Sequence, residues 1–153
     1  MDDANECFTD ACDIKCRQLN GVFHCENAPA IEWANGTKMW YLHGKRHRDD
    51  APAIEWANGT KEWWQHDELH REDGPAIEWA NGTKHWYQHD KFHRDNGPAI
   101  ERANGTKSWY LQGNHYRDAK AWVKAVLKMH SKPHDDAMVE DYLRTILTQD
   151  DLI

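Results

Sequence analysis

Eleven histidines and four cysteines are the side chains of this 153-residue chain best equipped for chemistry. An imidazole titrates near neutrality and can shuttle protons or ligate metals, while thiols can bind zinc or pair in disulfides. Their spacing decides between these uses. His43, His66 and His89 recur at a step of 23 residues, and His24, His47, His70 and His93 recur at the same step. A catalytic centre is unique in a chain, whereas these residues are copied with their surroundings. Copying points to structural work, with each histidine bonding a turn or stacking on a neighbour. A metal row through His43, His47 and their equivalents would need a separate weak site in every unit. His85 stands outside the pattern and has no serine or cysteine beside it to complete a triad. Walker loops, dinucleotide fingerprints and His-Glu-x-x-His are absent, so the reading is of a protein that is not an enzyme.

The cysteines all fall in the first 25 residues, as Cys7, Cys12, Cys16 and Cys25. These four, with His24, are the candidate zinc ligands. Their spacing lacks the Cys-x-x-Cys pairs usual in zinc knuckles, and zinc, a disulfide and free thiols all stay open. No other cofactor is indicated.

The elements that position these residues are copies of one stretch. Gly-Pro-Ala-Ile-Glu-Trp-Ala-Asn-Gly-Thr-Lys runs from Gly74 to Lys84, and close copies stand at 28–38, 51–61 and 97–107. A fixed step of this size marks a repeat architecture. Asn35-Gly36, Asn58-Gly59, Asn81-Gly82 and Asn104-Gly105 predict a two-residue type I′ hairpin turn in each unit. That turn pairs Ile54 with Trp63 and Trp56 with Lys61. Alternation then places Ile54, Trp56 and Trp63 on one face and Ala53, Glu55, Glu62 and Trp64 on the other. The first face repeats almost unchanged, as inter-hairpin packing requires. The second carries an aromatic row, Tyr41, Trp64, Tyr87 and Tyr110, beside the most variable strand position, Met39, Glu62, His85 and Ser108. Scaffold positions repeat and recognition positions differ, so these eight residues are the candidate partner-binding set. The competing reading is that both faces are packing. A looser second turn is expected at His43-Gly44-Lys45 and its equivalents, followed by arginine and acid ladders.

The unit resembles the MORN repeat family. The resemblance rests on Trp40-Tyr41-Leu42-His43-Gly44-Lys45-Arg46-His47, on Trp33-Ala34-Asn35-Gly36 and on Asp73-Gly74-Pro75-Ala76. It departs from the family after the histidine, where Arg-Asp-x-Gly-Pro replaces the usual Gly-x-Gly. The resemblance implies a mainly β fold: an elongated single-layer array of stacked hairpins that serves as an interaction scaffold. Repeats of this wording also look like those of phage and large DNA virus proteins, which implies a phage accessory protein.

Three segments follow: a cysteine-containing N-terminal cap at 1–17, a repeat array at 18–118, and a helical hairpin at 119–153. Leu19 to His24 aligns with Leu42 to His47, so the array is expected to begin in a degenerate half unit. Asp118 reads as a helix N-cap, with Trp122, Val123, Val126, Leu127 and His130 at helical spacing behind it. Lys120, Lys124, Lys128 and Lys132 line another side. A second helix starts near Asp135, with Met138, Val139, Tyr142, Leu143, Ile146 and Leu147 as its stripe. The pair caps the last hairpin, or, with the tail Asp150-Asp151-Leu152-Ile153, binds a partner or dimerises.

The net charge is −7 and no segment carries the basic excess that phosphate backbones require, which argues against nucleic acid. No apolar run is long enough to span a bilayer, and the acidic N-terminus lacks an apolar signal core, so a cytoplasmic location is expected. The functional expectation is a non-catalytic protein-interaction scaffold, in a phage setting an inhibitor that blocks or sequesters a host defence protein or toxin. The alternatives are an assembly protein that oligomerises through its helices, and a lipid or small-molecule binder on the aromatic groove.

Overall fold

The structure, a computed structural model, describes residues 5–9, 14–132 and 134–147, the first stretch by its backbone alone. The fold is mainly β. Repeated hairpins build one open antiparallel sheet in which twelve strands take part, and two helices follow.

Each unit contributes two hairpins. The first pairs Ile54–Glu55 with Lys61–Glu62, setting Ile54 opposite Glu62 and Glu55 opposite Lys61. Its loop differs from the predicted turn. Gly59 N–H donates to Trp56 O, Trp56 N–H donates to Thr60 O, and only Gly59 has positive φ, +89°. This is a three-residue loop with a glycine bulge. Asn58 contributes through its side chain, whose Oδ1 accepts the Thr60 N–H at 2.9 Å. The extra loop residue shifts the register by one and overturns the predicted sorting of faces. Glu62 and Trp64 share the face of Ile54 and Trp56, while Trp63 shares that of Glu55.

The tight turn sits in the second hairpin instead. Tyr41–Leu42 pairs with Lys45–Arg46 across His43-Gly44, whose φ values are both positive, 49° and 78°. His66-Asp67, His89-Asp90 and Asn20-Gly21 have the same signature. Two positive φ values define a type I′ turn, tolerable here because His, Asn and Asp enter the left-handed region more readily than other side chains.

The register runs unbroken from unit to unit. One cross-strand row reads Cys16, Ile31, Met39, Ile54, Glu62, Ile77, His85, Ile100, Ser108. On the opposite face the row reads Lys15, Glu32, Lys38, Glu55, Lys61, Glu78, Lys84, Glu101, Lys107, alternating in sign at every step. Opposite charges directly across a pair stabilise it and like charges do not, so this row helps hold the register. Ala30, Ala53, Ala76 and Ala99 are fully buried, leaving no room for a larger side chain.

Arginines lock the charged face. Arg71 lies over the Trp63 ring at 4.1 Å and donates to Pro75 O and Glu78 Oε1. Arg48 over Trp40 and Arg94 over Trp86 repeat the arrangement at 4.0 Å each. The arginine ladder is present, but its partners in the inner units include the strand glutamates, whereas Asp49 and Glu72, the acids expected beside it, lie against His47 and His70. In the first unit Cys25 holds the arginine position, and Arg17 supplies the guanidinium to Pro29 O and Glu32. The sheet accordingly starts before residue 18, because Ile14–Leu19 is a full strand paired with both Asn5–Thr9 and Ile31–Glu32.

Two helices close the far end, α1 (Ala119–Met129) and α2 (Asp136–Ile146). Asp118 and Asp135 cap them by accepting from Ala121 N and Met138 N. Trp122, Val123, Val126, Leu127, Val139 and Leu143 bury against Trp109 and Leu111. His130 is exposed at the end of α1 and so leaves the predicted apolar stripe. Lys120 and Lys124 bridge to Glu140 and Asp136 and tie the helices together. Residues 150–153 lie outside the described residues.

Candidate binding face

All eight predicted binding residues share one face, that of the isoleucine row. Met39, Glu62, His85 and Ser108 alternate with Ile31, Ile54, Ile77 and Ile100, the isoleucines buried and the variable residues half-buried. Two residues further along the chain stand Tyr41, Trp64, Tyr87 and Tyr110, also half-buried, the first three opening the second hairpins. The prediction opposed this set to the isoleucines. The bulge loop puts them together.

The aromatic row is stacked on itself. Tyr87 meets Phe92 at 4.2 Å between centroids and Phe92 meets Tyr110 at 5.0 Å. Phe23 meets Tyr41 at 5.5 Å, and the Arg46 guanidinium covers Trp64 at 3.6 Å. These side chains therefore do two jobs. One ring surface holds successive units together, and the remaining edge faces solvent. Burial raises the Tyr41 hydroxyl pKa, with Arg46 partly opposing, and burial aided by Asp90 and Tyr110 raises that of Tyr87. Both hydroxyls stay protonated donors at neutral pH.

Three of the variable residues engage the aromatic or arginine at the start of their own loop. Glu62 accepts the Trp56 indole N–H at 2.7 Å and that of Trp64 at 2.9 Å. His85 meets the Trp79 ring edge-on at 6.0 Å, and Arg102 donates to Ser108 Oγ at 2.9 Å. Burial and the nearby Arg102 charge lower the His85 pKa, so its ring is neutral at neutral pH.

Sequence reasoning assigned Trp56 and Trp79 to packing, yet they are among the most exposed large apolar side chains described, at 39% and 43%. Glu62 pins the Trp56 ring by a hydrogen bond, and His85 meets the Trp79 ring edge-on. The signal for exposure was present in the sequence: the fourth unit carries Arg102 at this position.

The remaining candidates resolve differently. Cys16 is disulfide-bonded and Cys25 is a free thiol, so the four cysteines do not form one thiolate set. The register sets Cys7 across from Cys16, and Cys12 lies outside the described residues. Among the described residues no group of three His, Cys, Asp or Glu side chains is placed to hold a metal ion. His24, His47 and His93 bond turns, and His24, His47 and His70 pack on a neighbouring ring: His47 Nδ1 accepts His66 N–H at 3.4 Å, with the rings 4.3 Å apart. Among the described residues no helix is long and apolar enough to cross a membrane. No protein-family model and no curated protein matches the chain.

Proposed function

We propose that this chain is a non-catalytic protein-interaction scaffold of the MORN-like type, with a protein partner bound on the isoleucine face. One observation carries the reading. Four equivalent positions with four different side chains, Met39, Glu62, His85 and Ser108, line up in a single cross-strand row on a repeated frame. Beside them the exposed indoles of Trp56, held by Glu62, and of Trp79 offer aromatic area of the kind that dominates interface energetics. The phage setting rests on the wording of the repeats, and there the natural task is to block or sequester a host defence protein or toxin. A host-interior location belongs to the same resemblance. The disulfide at Cys16 pulls the other way, since disulfides persist mainly in oxidising compartments.

The test is capture of a stoichiometric protein by the immobilised chain, repeated with Trp56→Ala and Trp79→Ala together. These side chains are exposed enough to be removed while the sheet stays intact. Capture lost with the melting temperature held supports the face, and capture unchanged sinks it. An empty column with a tail-dependent dimer in light scattering transfers the function to assembly. Flotation with liposomes transfers it to lipid on the aromatic groove.

A further inference from the structure

A column of histidines, His24, His47, His70 and His93, runs along the second hairpins. Hydrogen bonds fix the tautomer of three of them, His70 Nδ1 being buried with no hydrogen-bond partner among the described residues. His24 Nδ1 accepts the His43 backbone N–H at 3.0 Å, His47 Nδ1 accepts that of His66 at 3.4 Å, and His93 Nδ1 accepts that of Gln112 at 3.1 Å. Each donor is the first residue of a type I′ turn in the next unit, at positive φ. The rings also stack forward. His24 lies 4.5 Å from His43, His47 4.3 Å from His66, and His70 4.4 Å from His89.

An imidazole whose Nδ1 accepts must carry its proton on Nε2. The imidazolium has two donors and no acceptor, so protonation turns each of these bonds into a donor-to-donor contact. It also places a cation about a ring's breadth from the next titratable ring. We infer that the histidine column is an acid-labile seam, which holds each second hairpin to the unit before it at neutral pH and lets go as the imidazoles charge.

The surroundings of each member support this. His24 faces His43, and His47 faces His66 and Asp49, the last at 3.1 Å. His70 faces His89, Glu72 and Glu68, with Glu68 bonded to His89 at 2.7 Å. His93 faces Asp95 and His130. The carboxylates favour the charged ring and the neighbouring imidazoles oppose it. Burial is the largest influence at His70 and His93 and leaves both below the ordinary histidine range. A histidine held low in the fold takes up its proton more readily once unfolded, so acid favours opening. The stabilisation is complete well above the unfolded value of about 6.5 and drains as pH falls through it towards the folded values. The second turn residue stays anchored by backbone, through Gly44 N to Phe23 O, Asp67 N to Arg46 O and Gly113 N to Phe92 O. Acid therefore loosens the side-chain seam while these backbone bonds still hold the turns.

The test compares the intact chain with a His24→Asn, His47→Asn, His93→Asn variant, in which amide oxygens replace the Nδ1 acceptors and do not titrate. Between about pH 7.5 and about pH 5.5 the melting temperature of the native chain should fall by roughly 5 °C or more, and that of the variant by less than half as much. A flat native profile, or equal falls in both, overturns the proposal. Should the variant fail to fold, nitrogen NMR of the native imidazoles decides alone. Nε2–H tautomers at His24, His47 and His93 with a His93 midpoint below about 6.5 support the seam, and Nδ1–H tautomers or a His93 midpoint at or above that value overturn it.

Discussion

Trp122 of α1 stacks on Trp109 at 4.9 Å between ring centroids, in the place where a guanidinium covers the tryptophan of each inner unit. Arg117, at the repeat position that would supply that guanidinium, instead points into solvent and pairs with Asp118. An array of identical units would leave its last tryptophan covered by a charge open to water. Here an indole replaces the cation, its Nε1 donates to Arg94 O, and α1 and α2 pack around it.

Replacing Trp122 with alanine should therefore unseat the cap. The side chain is fully buried, and large-to-small changes of this kind cost about 3–5 kcal/mol. Helical circular dichroism should be lost at lower urea than the β signal, because the strand ladder does not depend on α1. Loss of both signals together at the native midpoint would show that the cap does not hold through this residue.

Gly74 has a different dependence, on Arg71. A Cβ at Gly74 would sit 2.7 Å from Arg71 Cζ, and one at Gly97 would sit 2.8 Å from Arg94 Cζ. In both units Nε is drawn over the glycine by the residue just before it, Arg71 to Asp73 at 2.8 Å and Arg94 to Asn96 at 2.9 Å. Gly74→Ala forces this pinned guanidinium aside, at about 1–3 kcal/mol for overpacking, less about 0.4–1 kcal/mol from stiffening the unfolded chain. A net loss of about 1 kcal/mol in urea unfolding is expected. Adding Asp73→Ala should shrink that loss, since the guanidinium is then free to move. A loss unchanged in the double variant would place the cost elsewhere.

The 23-residue period, the hairpin class, the Asp118 cap, the start of the second helix near Asp135 and the structural use of the histidines were legible in the sequence, because each rests on a local rule. The sorting of faces was not. Asn-Gly suits a two-residue turn and a glycine-bulged three-residue loop almost equally, and one residue of difference carries Trp63 to the other side of the sheet. A contact made between units accompanies the longer loop: Thr37 Oγ1 accepts Ala57 N–H, and Thr60 Oγ1 accepts Ala80 N–H. Such a bond is invisible to a reading confined to one hairpin. The true type I′ turns were hidden for the same reason. His66-Asp67 is a poor dipeptide for positive φ until His47 and Arg46 of the preceding unit are counted.

Asp67 tests that last point. Its φ is +74°, and its Oδ1 accepts both the backbone N–H of Arg46 at 3.0 Å and the Arg46 Nε at 2.7 Å. Units one and four place Gly44 and Gly113 at this position, which avoids the strain and forgoes the carboxylate. Burial works to raise the Asp67 pKa, but the Arg46 hydrogen bonds and charge outweigh it and hold the carboxyl below its usual range. A carboxyl depressed in the fold contributes in full above the unfolded value of about 4, and that contribution is lost as pH falls through the folded value. Asp67→Gly exchanges the two terms. Near pH 6 relief of the left-handed strain and loss of the half-exposed ion pair should offset to within about 1 kcal/mol. Near pH 3, below the unfolded value, where part of that contribution is already lost, the variant should hold up better relative to the native chain than it does near pH 6. Urea melts at the two pH values check this, and a difference between the chains that is the same at both would mean the carboxylate contributes nothing through its charge.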